Sequence, residues 1–242
     1  MKKIIEKPEL FVLGAGPGDP ELITMKGYKV LQQANVILYD NLANSELLAI
    51  SRDDCEKVYV GKQPYGDYTP QETIHELIKE YAFTKGNVVR LKGGDPFIFG
   101  RGFEEILYAR QHGITTHYIP GVTSMQASGL EDIPLTHRLV SESVWMVTGT
   151  KKDGRLSADL VCAMQSNATV VIYMGMKKLE EIALTYNKAG KGDTPAAIIQ
   201  HASLPNQKSA KGKVKNLVSM AANHQLTYPA IIIIGDVVNV NN

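Results

Sequence analysis

Two glycine-rich segments carry the residue types from which a small-molecule site can be built: Gly14-Ala15-Gly16-Pro17-Gly18-Asp19-Pro20 and Lys92-Gly93-Gly94-Asp95-Pro96. Each follows an apolar run and precedes a helical pattern, so each is expected where a parallel strand ends, the edge at which open α/β sheets bind ligands. Glycines at 93 and 94 add nothing to strand packing and suit main chain that a ligand lies against. There Asp95 can accept from an amine or a ribose; the alternative is a plain turn capped by Asp95 and Pro96. Asp40, closing the next strand pattern, suits a ribose hydroxyl or a helix cap. Pro120-Gly121-Val122-Thr123-Ser124 precedes a helix expected near Met125, whose first amides can hold a carboxylate once Thr123 or Ser124 caps it. With no global charge excess, any anionic ligand must be met by local cations, and Lys62, Arg90, Lys92, Arg101, His137 and Arg138 fall at expected strand ends or loops. For His137 and Arg138 taken alone, a solvated surface pair is the simpler reading.

The first glycine loop invites a dinucleotide-binding assignment, but Asp19 stands where a third glycine is needed and Pro17 removes a backbone donor. A nicotinamide-dependent oxidoreductase is therefore disfavoured. With 26 basic and 25 acidic residues, no global field draws the chain toward nucleic acid or membrane. No apolar run reaches the length of a membrane span, and the first eight residues lack the apolar core of a signal peptide. Cys55 and Cys162 have no metal-type spacing, which favours a reducing cytoplasm and no metal site.

Strand and helix patterns alternate along all 242 residues. Strands are expected at 10–13, 36–39, 57–60, 87–91 and 115–119, with helices at 21–34, 69–84 and 102–112 between them. The fold class is therefore α/β with a doubly wound parallel sheet in a first domain, residues 1–119. A second α/β domain, residues 120–242, has strands expected at 144–147, 169–173, 196–199 and 230–234, helices at 156–165 and 177–186, and a short strand leading into a helix over 211–218. The polar, turn-rich stretch 201–212 points to a hairpin, and hence to a mixed sheet.

The ordered motifs resemble those of the tetrapyrrole methylase family. The match runs through 12–20, Tyr39-Asp40, Val60-Gly61-Lys62 and Pro70-Gln71-Glu72, then the long central motif 90–102 with Glu104-Glu105. It continues through 120–124, Ile133-Pro134-Leu135-Thr136-His137-Arg138, Thr148-Gly149 and Tyr173-Met174-Gly175. The resemblance implies two α/β domains, a homodimer, and S-adenosylmethionine in the interdomain cleft, released as S-adenosylhomocysteine. It assigns cofactor contacts to Pro17, Gly93, Gly94, Asp95, Ile98, Thr123, Ser124, Met174 and Ala202. Proton handling falls on Asp40 and Lys62, and Arg90 matches an arginine important for activity.

The Phe97-Ile98-Phe99-Gly100-Arg101 and Thr136-His137-Arg138 blocks resemble those of the subfamily acting on uroporphyrinogen III. The implied reaction is methylation at carbons 2 and 7, giving precorrin-2 for siroheme or cobalamin. Lys92, Arg101, His137 and Arg138 would then bind substrate carboxylates. A methylase of a later precorrin and a non-catalytic tetrapyrrole sensor are the alternatives. Gln63, Asp67, His75 and Thr150-Lys151 depart from the usual pattern on the substrate side.

Overall fold

The computed structural model describes residues 7–61 and 69–240. The chain divides into two compact units, residues 1–123 and 124–242. The first carries a parallel sheet of β1 (Glu9–Gly14), β2 (Val36–Tyr39), β3 (Glu56–Tyr59), β4 (Asn87–Lys92) and β5 (Thr115–Ile119), in the order β3-β2-β4-β1-β5. Its central strands β1, β2 and β4 are buried on both faces because helices cover both, while edge strands β3 and β5 are more polar and exposed. On one face α2 (Gln71–Lys85) and α3 (Gly102–Gln111) bury Ile74, Ile78, Ile106 and Ala109 against Leu10, Val12, Leu38 and Val88. On the other, α1 (Met25–Gln32) and a 3₁₀ segment at Ser45–Ile50 bury Leu31 and Leu47 against Leu13, Ile37, Val89 and Leu91.

The helix expected over 21–34 is broken. Asp19 Oδ1 accepts from Glu21 N at 2.8 Å and starts a 3₁₀ turn at Pro20–Leu22; Ile23 then returns to extended backbone. Thr24 Oγ1 accepts from Gly27 N at 3.1 Å and caps α1 at Met25, a local bond that competes with continuing the helix. At α2 the expected Thr69 cap is displaced. Pro70 takes the cap position without a side-chain bond, and the Thr69 hydroxyl donates to Gly61 O at 3.1 Å instead.

The second unit holds a mixed sheet of β6 (Val144–Thr148), β7 (Thr169–Tyr173), β8 (Pro195–Gln200), β9 (Lys208–Lys213) and β10 (Ala230–Ile234), in the order β6-β7-β10-β8-β9. Only the β6–β7 pair is parallel; β8–β9 is the expected hairpin, with Pro195 opposite Lys213. Helices α4 (Asp159–Ala163), α5 (Leu179–Lys188) and α6 (Leu217–Asn223) pack on one face through Leu160, Ile182, Tyr186 and Leu217. The last strand in the chain, β10, lies at the centre of the sheet, as its almost fully buried Ile231 to Ile234 require. Edge strand β9 alternates lysines at 211 and 213 with buried Ala210, which deters pairing with another chain. Among the described residues no helix is long and apolar enough to cross a membrane.

Candidate active site

The two glycine loops lie side by side at the C-terminal ends of β1 and β4, and they are bonded to each other. Ala15 N donates to Lys92 O at 2.7 Å, Gly16 N to Gly94 O at 3.3 Å, and Gly94 N to Gly16 O at 2.7 Å. Amides that would face a pyrophosphate are thereby used within the protein, a second reason against a dinucleotide site. The glycines do have a packing purpose, contrary to expectation. A Cβ on Gly14 would stand 2.6 Å from Gly94 O and from Gly121 Cα, and one on Gly121 would sit nearer still to Gly94 O. A Cβ on Gly93 would meet Leu42 at 2.6 Å, and Gly94 has φ of 63°. Three strand ends converge closely enough that side chains are excluded.

Asp95 locks that convergence. Its Oδ1 accepts from Phe97 N at 2.8 Å, and its Oδ2 from Tyr118 OH at 2.6 Å and Gly121 N at 3.1 Å. Both oxygens are committed to the loop, so the turn-capping alternative describes Asp95 better than a ligand-accepting one. Burial first, and then the hydrogen bond to Asp95, push the Tyr118 pKa well above its ordinary value. Phe97 stacks on Tyr118 at 3.9 Å between ring centroids.

Beside this lock lies a chain of charges. Asp40 follows β2; one carboxylate oxygen caps the next turn through Leu42 N at 3.0 Å, and the other accepts from Arg90 Nη2 at 2.8 Å. Arg90 points inward from β4 and is almost completely buried, while the Asp40 side chain keeps 19% exposure. On its other edge Arg90 Nε donates to Glu105 Oε1 of α3 at 3.2 Å, and Lys92 Nζ donates to the same oxygen at 3.3 Å. Burial opposes the Arg90 charge most strongly, but Glu105 and Asp40 outweigh it and hold its pKa above the ordinary value. For Lys92 burial, followed by the Arg90 charge, wins against Glu105 and lowers the pKa. Arg90 and Lys92 therefore do not rim an anion site. Strand alternation turns both toward the face that α3 covers, and both are spent on Glu105.

The remaining expected site residues are dispersed. Pro17, Gly93 and Ile98 are half-buried at the loop surface of the first unit, and Thr123 is buried. Arg101 forms a two-bond pair with Glu104. In the second unit, a 3₁₀ segment at Ser124–Glu131 replaces the helix expected near Met125. Met125 N donates to Tyr173 OH at 3.1 Å, which occupies an amide expected to hold a carboxylate. His137 opens a turn closed by Ser141 N donating to His137 O at 2.9 Å, and Arg138 on it is exposed, as for a solvated pair. Met174, just past β7, is half-exposed; Ala202, past β8, is buried. Lys62, Gln63 and Asp67 lie outside the described residues. Among those described, no group of three or more His, Cys, Asp or Glu side chains is placed to hold a metal ion.

Five non-glycine residues with left-handed backbone lie at or next to these positions in sequence, Phe99 and Arg101 after Ile98, Met174 itself, and His201 and Ser203 flanking Ala202, while Asp132 and Gln225 lie apart from them. Such strain is characteristic of ligand-contacting loops. Glu105 belongs to the Glu104-Glu105 pair of the sequence motif, to which the resemblance assigns no role. Its signal was a charge on the buried stripe Gly102, Glu105, Ile106 and Ala109 of α3.

A parallel sheet with its polar groups at the C-terminal edge, joined to a mixed α/β unit, is the architecture of a known class. The chain belongs to the tetrapyrrole (corrin/porphyrin) methylases, whose family model matches residues 9–218, and it is a methyltransferase. It is 42% identical over 236 residues to a siroheme synthase of Psychrobacter cryohalolentis, covering 97% of this chain and 45% of that protein. A siroheme synthase of Chromobacterium violaceum is 42% identical over 231 residues, covering 95% of this chain and 49% of the relative. The chain thus spans about half the length of these curated relatives. Among solved structures, uroporphyrin-III C-methyl transferase from Thermus thermophilus complexed with S-adenosyl homocysteine superposes with a TM-score of 0.83 at 38% identity, covering 96% of this chain and 99% of that one. A cobalt precorrin-4 methyltransferase superposes with a TM-score of 0.84 at 26% identity, covering 95% of each chain.

Proposed function

We propose that this chain transfers methyl groups from S-adenosylmethionine to carbons 2 and 7 of uroporphyrinogen III, yielding precorrin-2 and S-adenosylhomocysteine. The observation that carries the reading is Asp40: a carboxylate at the C-terminal edge of a parallel sheet, partly exposed, and held by a buried arginine. Identity to the Thermus thermophilus enzyme over nearly the whole chain supports the substrate, and the lower identity to the precorrin-4 enzyme makes a later precorrin the second choice.

S-adenosylmethionine, when bound, supplies a methyl carbon made electrophilic by its sulfonium. The residues assigned to it are Pro17, Gly93, Ile98 and Thr123 on the first unit, and Ser124, Met174 and Ala202 on the second. Their fit rests on the left-handed backbone next to them in each unit, at 99 and 101 in the first and at 174, 201 and 203 in the second. Gly94 and Asp95 act by holding the loops in register. When a pyrrole carbon of the macrocycle takes up a methyl, the ring becomes cationic and must shed a proton. Asp40 is assigned to receive it, with Arg90 fixing the carboxylate's direction. Arg101, His137 and Arg138 are assigned to the substrate's carboxylates, and Lys62 to proton transfer or carboxylate binding. We take the enzyme to be a cytoplasmic homodimer without nucleic-acid or membrane partners. Anaerobic incubation with S-adenosylmethionine and uroporphyrinogen III, followed by mass spectrometry, should yield a dimethylated tetrapyrrole; an unaltered macrocycle would overturn the assignment.

A further inference from the structure

Glu105 is fully buried on α3, yet only one of its oxygens is used. Oε1 accepts from Arg90 Nε, Lys92 Nζ and, at 3.2 Å, Gln71 Nε2 of α2. Oε2 is buried without a hydrogen-bond partner. A leucine at this stripe position would pack against the sheet with no desolvation cost, so an anion with an orphaned oxygen calls for a use of its charge. Within the cluster two cations, Arg90 and Lys92, face two carboxylates, Asp40 and Glu105. Beside the cluster, His75 Nε2 lies 3.3 Å from Gln71 Nε2, and the His75 ring stacks on Tyr108.

We propose that Glu105 is a positioning residue for the Asp40 chemistry: it fixes the guanidinium of Arg90 so that its other edge meets Asp40, and its charge cancels that of Lys92. Asp40 then faces one compensating cation rather than two. Without Glu105 the excess positive charge holds Asp40 as the carboxylate and weakens it as a proton acceptor. The inference rests on the reading of Asp40 as the proton-handling group.

The test compares wild type, Glu105→Gln and Glu105→Gln/Lys92→Met, the last restoring charge balance with a side chain of similar length. S-adenosylhomocysteine affinity by calorimetry should stay the same in all three, which establishes that the fold is kept. In Glu105→Gln, kcat should fall by about tenfold or more with little change in KM, and the acid limb of the pH–rate profile should move to lower pH. The double variant should recover most of both. An unchanged rate and profile in Glu105→Gln, or a double variant worse than the single, overturns the proposal. If wild type fails to methylate uroporphyrinogen III, the functional reading fails, and solvent exchange of the Arg90 Nε proton by NMR decides the role of Glu105. Lost protection in Glu105→Gln supports it; retained protection overturns it.

Discussion

Replacing Asp95 by asparagine leaves one acceptor oxygen and puts an amide donor where Oδ2 stood. The bond from Phe97 N survives on the remaining oxygen, while those from Gly121 N and Tyr118 OH lose their acceptor. Hydrogen bonds to a charged group contribute about 1.5–3 kcal/mol each. Tyr118 and Gly121 are not fully buried, so the lower end applies, about 3 kcal/mol for the two. The Tyr118 hydroxyl can rotate to accept from the new amide and regain about 1 kcal/mol, leaving a net loss of about 2 kcal/mol. Tyr118→Phe should cost about 1.5 kcal/mol, since it keeps the stacked ring and removes one bond. The two changes should couple by roughly 0.5 kcal/mol in a double-mutant cycle read by urea unfolding, because the regained bond needs the Tyr118 hydroxyl. The reasoning fails if Asp95→Asn unfolds like wild type while S-adenosylhomocysteine affinity collapses, because the carboxylate would then serve the ligand and not the loop.

Gly121→Ala forces the β1, β4 and β5 ends apart, because its Cβ has no room beside Gly94 O; it should lose at least about 2 kcal/mol of stability by urea unfolding. Tyr81 is pushed up to about 12 by its hydrogen bond to Glu56 and then by burial. A raised folded-state value stabilises the neutral form, so its contribution is whole below the unfolded value near 10 and is lost as pH rises through 12. Tyr81→Phe should therefore flatten the alkaline fall in stability between those values, measured by unfolding as a function of pH. The KM for uroporphyrinogen III should rise several-fold, roughly three- to tenfold, between low and moderately high salt as exposed cations such as Arg138 are screened. The same series in Arg138→Ala should be shallower.

Most strands were legible because apolar runs ended by glycine or aspartate have few other readings, and they lie within a residue or two of their expected places; β9, polar and lysine-rich, begins at Lys208, three residues before the expected 211. The helix broken at Ile23 and Thr24 was not, since apolar spacing at Leu22, Ile23 and Met25 continues through a side-chain cap that only the folded backbone reveals. The close approach of Leu42, Gly14 and Gly121 to Gly93 and Gly94 was not legible, because sequence shows absent side chains and not what meets them. Arg90 and Lys92 share a face of β4 with the buried Val88 and alternate with Val89 and Leu91, so their inward direction was readable from strand period alone. Glu105 was hidden by composition, as a second acid in the first turn of a helix usually serves the helix dipole.

The account stands or falls on Asp40 as the proton acceptor in tetrapyrrole methylation. Rapid-quench mass spectrometry with a deuterated methyl donor and uroporphyrinogen III, comparing wild type with Asp40→Asn, addresses it directly. Wild type should carry two labelled methyls onto the macrocycle, and Asp40→Asn should do so about a hundredfold more slowly at unaltered S-adenosylhomocysteine affinity. Equal rates in the two proteins, or a macrocycle without label in wild type, would contradict it.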